Sequence, residues 1–261
     1  MTGARYDAAA VGVLWRRDLV RFFRQPSRLV GALGQPLLFW GVIGSGLAGT
    51  FRMPGSDVGY LAYFYPGVVL MVVLFAAIFT TLSVIEDRHA GFLQGVLAGP
   101  ASRGAVVLGK VAGSASVALS QAALFLLLAP LAGFPWGSVD WPLLAAALGL
   151  AAVGLAALGF AVAWLVDNVQ GYHAIQMTLL VPLWIVSGAM FPAGPERPVL
   201  AAVLRANPVA YAVSATRVAL AGPGAPGALP GTPARDLLVL ALFAGANLAL
   251  AVLVARRGSA R

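Results

Sequence analysis

The sequence predicts an all-α membrane protein: six transmembrane helices, an N-terminal interfacial helix, a short helix between spans two and three, and a re-entrant hairpin between spans five and six. Three observations carry this. Hydrophobic residues fill 60% of the 261 positions and charged residues 10%, against about 45–50% and about 25% in an ordinary soluble domain. Six stretches reach the roughly 20 mainly apolar residues needed to cross about 30 Å of hydrocarbon. Of the 17 Lys and Arg, all but Lys110 lie outside those stretches, where the positive-inside rule puts them. That distribution excludes nucleic acid, which the formal net charge of +8 would otherwise suggest. With no Cys in the chain, disulfides and thiolate metal sites are excluded too.

The spans fall at Leu29–Gly49, Leu61–Val84, Ala105–Leu131, Pro142–Val166, Tyr172–Phe191 and Leu237–Ala255. They divide the chain into a cytoplasmic amphipathic helix (1–28), a transmembrane domain (29–255) and a cytoplasmic tail (256–261). No cleavable signal is expected, because the first 28 residues hold no apolar h-region. With both termini inside, the cytoplasmic segments hold Arg5, Arg16, Arg17, Arg21, Arg24, Arg28, Arg88, Arg103, Lys110, Arg256, Arg257 and Arg261, twelve of the 17. The outer segments hold Arg52, Arg197, Arg205, Arg217 and Arg235. Lys and Arg, not net charge, set orientation.

Ahead of the first span, Val11, Trp15, Leu19 and Phe22 share one side of a helix, and Arg17, Arg21, Arg24 and Arg28 another. That suits an interfacial helix with its arginines at anionic headgroups; a solvated basic helix docked on protein is the alternative. Gln25-Pro26 ends it, since the residue before Pro avoids the α region.

Between spans two and three, segment 86–103 opens with Glu86, Asp87, Arg88 and His89. Phe92, Leu93, Val96 and Leu97 follow at i, i+1, i+4 and i+5, and Gly99-Pro100 stops the run. Acidic residues favour a helix N-terminus and Gly-Pro is a stop signal, so the segment reads as one short amphipathic helix on the cytoplasmic face. In the long outer connection, two apolar stretches flank Asn207-Pro208. They suit half-helices dipping into the outer leaflet over 195–220, which is allowed if protein buries the turn.

Two motifs mimic nucleotide sites. Gly104, Gly109 and Lys110 satisfy G-x-x-x-x-G-K, but Val111 stands where the Mg²⁺-binding Ser or Thr belongs and no strand precedes it. Lys110 is expected to snorkel at a span entrance. Gly44, Gly46 and Gly49 satisfy G-x-G-x-x-G at the end of an apolar span, outside any βαβ context. Close helix packing explains these glycines, and Gly109 and Gly113, better. His89 and His173 have no second ligand at i+3 or i+4, so no metal site and no hydrolase set is predicted. Within the spans, Gln35, Gln121, Gln176 and Asn247 serve either as interhelical hydrogen-bond partners or as a substrate path. The near absence of buried acids speaks against a proton relay. Phe39, Trp40, Tyr63, Phe64, Tyr65, Trp184 and Phe191 form either an interfacial aromatic belt or a surface for an amphipathic molecule.

In this order, four stretches resemble the membrane subunit of ABC type-2 exporters, the family that includes daunorubicin-resistance, polysaccharide and O-antigen exporters. They are Arg24-Gln25-Pro26; the run from Glu86 to Leu97 with Pro100, Ser102, Gly109 and Lys110; Ser187 to Pro192; and Asn207 to Tyr211 with Arg217. His89 and Gln94 depart from the family pattern, which favours acidic residues there.

The resemblance implies a permease in the bacterial inner (plasma) membrane, assembled with two copies of an ABC ATPase subunit and a second permease copy, identical or closely related. This chain would bind no cofactor; ATP and Mg would sit on the ATPase. The ATPase contact would be made by Arg17, Arg21, Arg24, Glu86, Asp87, Arg88, Phe92, Leu93, Val96 and Leu97, with segment 86–103 as the coupling helix. The substrate would be amphipathic, drug-like, lipid-linked or a polysaccharide. An ion-coupled secondary transporter and a membrane-embedded lipid-modifying enzyme are the competing readings.

Overall fold

The computed structural model describes residues 3–47, 58–191 and 198–257, and every regular element among them is helical. Gly49, Arg52, Pro192, Arg197 and Arg261 lie outside the described residues. Helix α1 (Gly3–Phe23) stops just ahead of Pro26, which opens α2 (Pro26–Leu38) at the first helical position, where its missing N–H costs nothing. A π turn at Phe39–Ile43 joins α2 to α3 (Gly44–Leu47). Then come α4 (Tyr60–Thr80), α5 (Ser83–His89), α6 (Phe92–Leu97), α7 (Arg103–Leu126), α8 (Trp141–Leu165) and α9 (Val169–Trp184). A second π turn, Ile185–Ala189, extends α9, and α10 (Pro198–Ala206), α11 (Pro208–Ala221) and α12 (Pro233–Arg257) complete the chain.

Five helical runs among the described residues are long and apolar enough to cross a membrane: Tyr60–His89, Arg103–Leu126, Trp141–Leu165, Val169–Ala189 and Pro233–Arg257. The far end of the expected first span lies outside the described residues. Its apolar part among the described residues is Leu33–Leu47. Between the fifth and last runs, α10 and α11 meet at 91°. The chain is thus a multi-pass membrane protein.

Helix α4 is the centre. Tyr60, Phe64, Val68, Val69, Val73 and Leu74 cover its whole circumference and all are fully buried, as a helix apolar on every side must be. Around it the chain packs by fit, since lipid offers no hydrophobic drive between helices. Gly154 on α8 faces α12 so closely that a Cβ there would lie 2.6 Å from the Phe243 ring. Leu240, Ala244, Ala251 and Ala255 form the packed stripe of α12, while Leu238, Leu242, Leu250 and Leu253 are exposed on its other side, as a lipid-facing surface would be.

The aromatic residues expected in a belt or on a substrate surface are mostly inside. Tyr63, Phe64, Tyr65 and Trp184 are buried, Tyr63 and Phe64 stacked on Tyr60, Tyr65 on Phe125, and Trp184 tilted against Phe64. Phe39 and Trp40 are half-buried, and only Phe191 is exposed. Their polar atoms explain this: Trp184 Nε1 donates to the Gly67 carbonyl at 2.8 Å and Tyr65 Oη to the Phe125 carbonyl at 2.8 Å, so the rings can enter the core fully satisfied.

The two ends differ. One joins the start of α1 to α7, through Asp7 accepting from Ser102 N at 2.6 Å and Oγ at 2.8 Å. At the same end Arg103 donates to the carbonyls of Ala255 and Arg256 at 2.9 Å, capping α12. The opposite end is closed by Asp140 N donating to the Ala219 carbonyl at 2.8 Å. There the break after α9, where Gly188 takes φ 79°, is braced by α11. Asn207 Nδ2 donates to the Leu183 carbonyl at 2.7 Å and Arg217 Nη2 to the Gly188 carbonyl at 2.8 Å.

Helix α1 lies along α7. Its buried stripe is Leu14, Asp18 and Phe22, about one residue round from the Trp15 and Leu19 side expected, and Trp15 is exposed, its Nε1 donating to Ser116 Oγ at 3.0 Å. The reason is the pair Gly109 and Gly113. A Cβ on Gly109 would lie 2.9 Å from Leu14 Cβ and 3.2 Å from Val11 Cα, and one on Gly113 would lie 3.0 Å from Asp18 Cβ. One face of α1 is therefore docked on protein. Gly109→Val is expected to lower stability by about 1–3 kcal/mol, the usual cost of overpacking, and to expose α1 to protease. Gly104→Ala, whose Cβ would meet only Ser102 Oγ at 3.7 Å, should leave the thermal midpoint in detergent unchanged; equal loss in both variants would refute the close-contact account.

Candidate functional site

The docked stripe of α1 carries Asp18 against α7, and α7 presents Lys110 one residue beyond Gly109. Lys110 is 1% exposed and Asp18 3%. Lys110 Nζ donates to Asp18 Oδ1 at 3.0 Å, Ser83 Oγ at 3.2 Å and Asp87 Oδ2 at 2.5 Å. The expected snorkelling lysine is thus an interior cation with its three donors engaged. Its stem has no route to water because α1 lies across it.

Asp87, 1% exposed on α5, also takes both forks of Arg17, with Nη1 to Oδ2 at 2.5 Å and Nη2 to Oδ1 at 2.7 Å. Bidentate pairing of this kind fixes orientation as well as charge. Arg21 reaches Glu86 at 2.7 Å and Asp87 at 3.6 Å. Three carboxylates (Asp18, Glu86, Asp87) thereby meet three cations (Arg17, Arg21, Lys110) across α1, α5 and α7. Arg17 and Arg21 are turned to this cluster and not to lipid headgroups; Arg24 remains exposed. Burial pushes the Asp18 carboxyl above the usual carboxylate range, against the pull of the Lys110 ammonium. These acids lie outside the expected spans, and each has a basic partner.

The other side of α5 is clamped to α8. Arg88 donates to the Trp164 carbonyl at 2.8 Å and to Asp167 Oδ1 at 3.0 Å, a cation on the carbonyls that a helix C-terminus leaves open. His89 Nε2 lies 2.8 Å from the Asp167 carbonyl oxygen.

Segment 86–103 is two helices rather than one. The charges belong to α5, which continues α4, and Gly91 at φ 72° turns the chain into α6, a conformation at which a Cβ would be strained. Leu93 is 2% exposed and packs into the core, whereas Phe92, Val96 and Leu97 are half-buried and Gln94 and Gly95 exposed. The Arg17 guanidinium lies 3.8 Å from the centre of the Phe92 ring, so the ion cluster reaches α6 directly. Asp87 and Leu93 face inward; the outward surface is made by Gln94, Gly95 and the rims of Phe92, Val96 and Leu97.

Of the amides singled out, Gln35 and Gln121 line one cavity of about 360 Å³, with His173, Met71, Phe75 and Asp18. Gln176 lies elsewhere, buried, its Oε1 3.1 Å from His173 Nδ1. Asn247 donates to the Phe243 carbonyl of its own helix at 2.8 Å and joins no other. Missed by sequence reasoning were Asp18, and the burial of Lys110. The available signal was a carboxylate four residues after Leu14 and four before Phe22 on an apolar stripe, matched to a lysine inside an apolar run.

A family model described as "ABC-2 type transporter" matches residues 9–221. The Nodulation protein J of Neorhizobium galegae is 27% identical over 214 residues, 80% of each chain. Its counterpart from Rhizobium leguminosarum bv. trifolii is also 27% identical over 214 residues, again 80% of each. A Cyanophora paradoxa protein that carries the name transport permease ycf38 is 32% identical over 90 residues, 34% of this chain and 31% of its own.

Lys110→Met leaves Asp18 unpaired in the interior and Asp87 without one partner, which costs about 3–5 kcal/mol when a buried pair is broken from one side. The loss should shrink as the pH falls from about 8 to about 5. Without Lys110 the folded Asp18 pKa rises further above its unfolded value, so the folded state binds the extra proton and gains stability on acidification. Thermal unfolding in detergent across that range checks both; a deficit independent of pH would contradict an unpaired carboxylate.

Proposed function

The chain belongs to the ABC-2 type transporter family, and we propose that it is the membrane-spanning permease subunit of an exporter driven by ATP hydrolysis in a separate subunit. The carrying observation is α6: a short helix with an outward surface of Gln94, Gly95 and half-buried apolar rims, seated on an ion cluster that ties it to α1, α5, α7 and α8. Force applied there would pass through the Arg17–Phe92 stack and Asp87 into α1 and α7, and through Arg88 into α8. A partner can only shift a two-state equilibrium by contacting the two states differently, and a stiff seat lets a small surface act on whole helices.

In this reading the end rich in Lys and Arg, with both termini, faces the cytoplasm of a bacterial plasma membrane. Two ATPase copies bind there, carrying ATP and Mg, and a second permease copy completes the passage. The cavity lined by Gln35, Gln121, His173, Met71 and Phe75 mixes amide and aromatic walls, which supports an amphipathic substrate: drug-like, lipid-linked or saccharide. Ion-coupled transport has less support, because Asp18, Asp87 and Asp236, the buried acids among the described residues, each have a basic partner.

Leu97→Asp, at a half-buried rim with no polar partner, is expected to abolish stimulated ATPase activity in the reconstituted complex while membrane insertion and thermal midpoint stay near wild type. Wild-type transport in that variant would count against α6 as the contact. ATP turnover or uphill solute movement by this chain alone in vesicles would overturn the division of labour.

A further inference from the structure

At the end opposite α6, Arg217 holds a buried charge that no carboxylate among the described residues neutralises. It is 3% exposed. Nη1 donates to the Gly227 carbonyl at 2.6 Å and Nη2 to the Gly188 carbonyl at 2.8 Å. The guanidinium carbon lies 4.1 Å from the centre of the Tyr63 ring. The approach is shaped around the arginine: a Cβ on Gly227 would lie 2.8 Å from Nη1 and 2.7 Å from the Tyr63 ring.

Carbonyl oxygens occupy donors but bring no net charge. Nε has no hydrogen-bond partner, and no carboxylate among the described residues pairs with the guanidinium. Asp236, buried at the start of α12, is held by Arg235 at 2.9 Å. This contrasts with Lys110, whose charge is matched by two carboxylates, although both cations are equally sequestered. An unpaired interior cation is costly, and the cost falls when an anion comes within reach.

There is room for one. A cavity of about 520 Å³ adjoins Arg217, walled by Tyr63, Phe134, Pro135, Leu220 and Pro226, and Arg217 is the one charged side chain among the described residues that line it. Its walls are the start of α4, the end of α11 and the irregular segments 133–138 and 222–226. Sites for small molecules span about 300–1,000 Å³, mostly apolar with a few placed polar groups, so this space exceeds what a bare inorganic ion needs. One guanidinium calls for one negative charge, and the apolar walls for a carbon chain.

We propose that this cavity binds a singly charged phosphodiester bearing an apolar chain, with the phosphate oxygens on the Arg217 side and the chain along Phe134, Leu220 and Pro226. A bilayer lipid and a soluble phosphate share the recognised group and differ in the chain. The site is independent of the ATPase reading, since binding to the purified chain needs no partner, so either can fail without the other.

The test uses the full chain in an uncharged detergent, titrated with dihexanoyl phosphatidylglycerol and followed by native mass spectrometry and tryptophan fluorescence. Ser138 is exposed and lines the cavity, so Ser138→Asp puts a competing carboxylate there without disturbing the carbonyl contacts of Arg217. It should weaken binding by about tenfold or more with an unchanged thermal midpoint, while Ser138→Asn should bind as wild type. Arg217→Gln should also lose binding, but it disturbs the brace at Gly188 as well. Binding of the lipid without competition from inorganic phosphate assigns a lipid-type ligand; competition by phosphate assigns the free anion, and both support an anion site. Equal affinity for dihexanoyl phosphatidylcholine, or undiminished lipid binding in Ser138→Asp, would overturn the proposal.

Discussion

A lysine that cannot reach water must be neutralised where it sits, and the end of this molecule that carries α5 and α6 is arranged around that requirement. Lys110 sits between Gly109 and Gly113, the glycines on which α1 rests, so the contact that buries it also delivers Asp18. Asp87 arrives from α5, and Arg17 and Arg21 close the group from α1. Removing water strengthens each attraction and raises the penalty for any member left alone. The cluster is therefore less a source of net stability than a condition on geometry: α1, α5 and α7 can occupy one mutual arrangement in which all charges are matched.

That condition has a mechanical corollary. Helix α6 is six residues long, too short to hold a shape by its own hydrogen bonds. Its fixity comes from Leu93 in the core and Phe92 beneath Arg17. Elsewhere the helices rest on one another through glycine and alanine contacts and through neutral hydrogen bonds such as Trp184 to the Gly67 carbonyl. The charged cluster and the Arg88 clamp on α8 are the charged ties between this small surface and the long helices, and they converge on α5.

Interior cations at the two ends solve different problems. Lys110 answers carboxylates. Arg217 answers backbone: the turn after α9 leaves carbonyls unpaired, and in a medium without water such groups must be met by protein. Arg217 and Asn207 meet them, and so permit a non-helical break deep in the bundle. A guanidinium suits that task because its donors fan out in a plane toward several oxygens, but carbonyls leave its charge in place.

Composition and period settled the solvent and the architecture. Long runs such as Tyr60–Thr80 and Trp141–Leu165 can only be helices buried in lipid or protein, and the clustering of Arg and Lys separates the ends, because each follows from local chemistry over about 20 residues. The corner at Asn207-Pro208 and the punctuation at Pro26 and Gly99-Pro100 were legible for the same reason. What faced what was not. Whether Arg17 meets a headgroup or Asp87, whether Lys110 snorkels or is sealed in, and whether Tyr63 and Trp184 line an interface or a core depend on how far one helix rolls against another. That roll is set by which glycines admit a neighbour's backbone, a contact between residues about 100 positions apart, so only the tertiary structure could decide it.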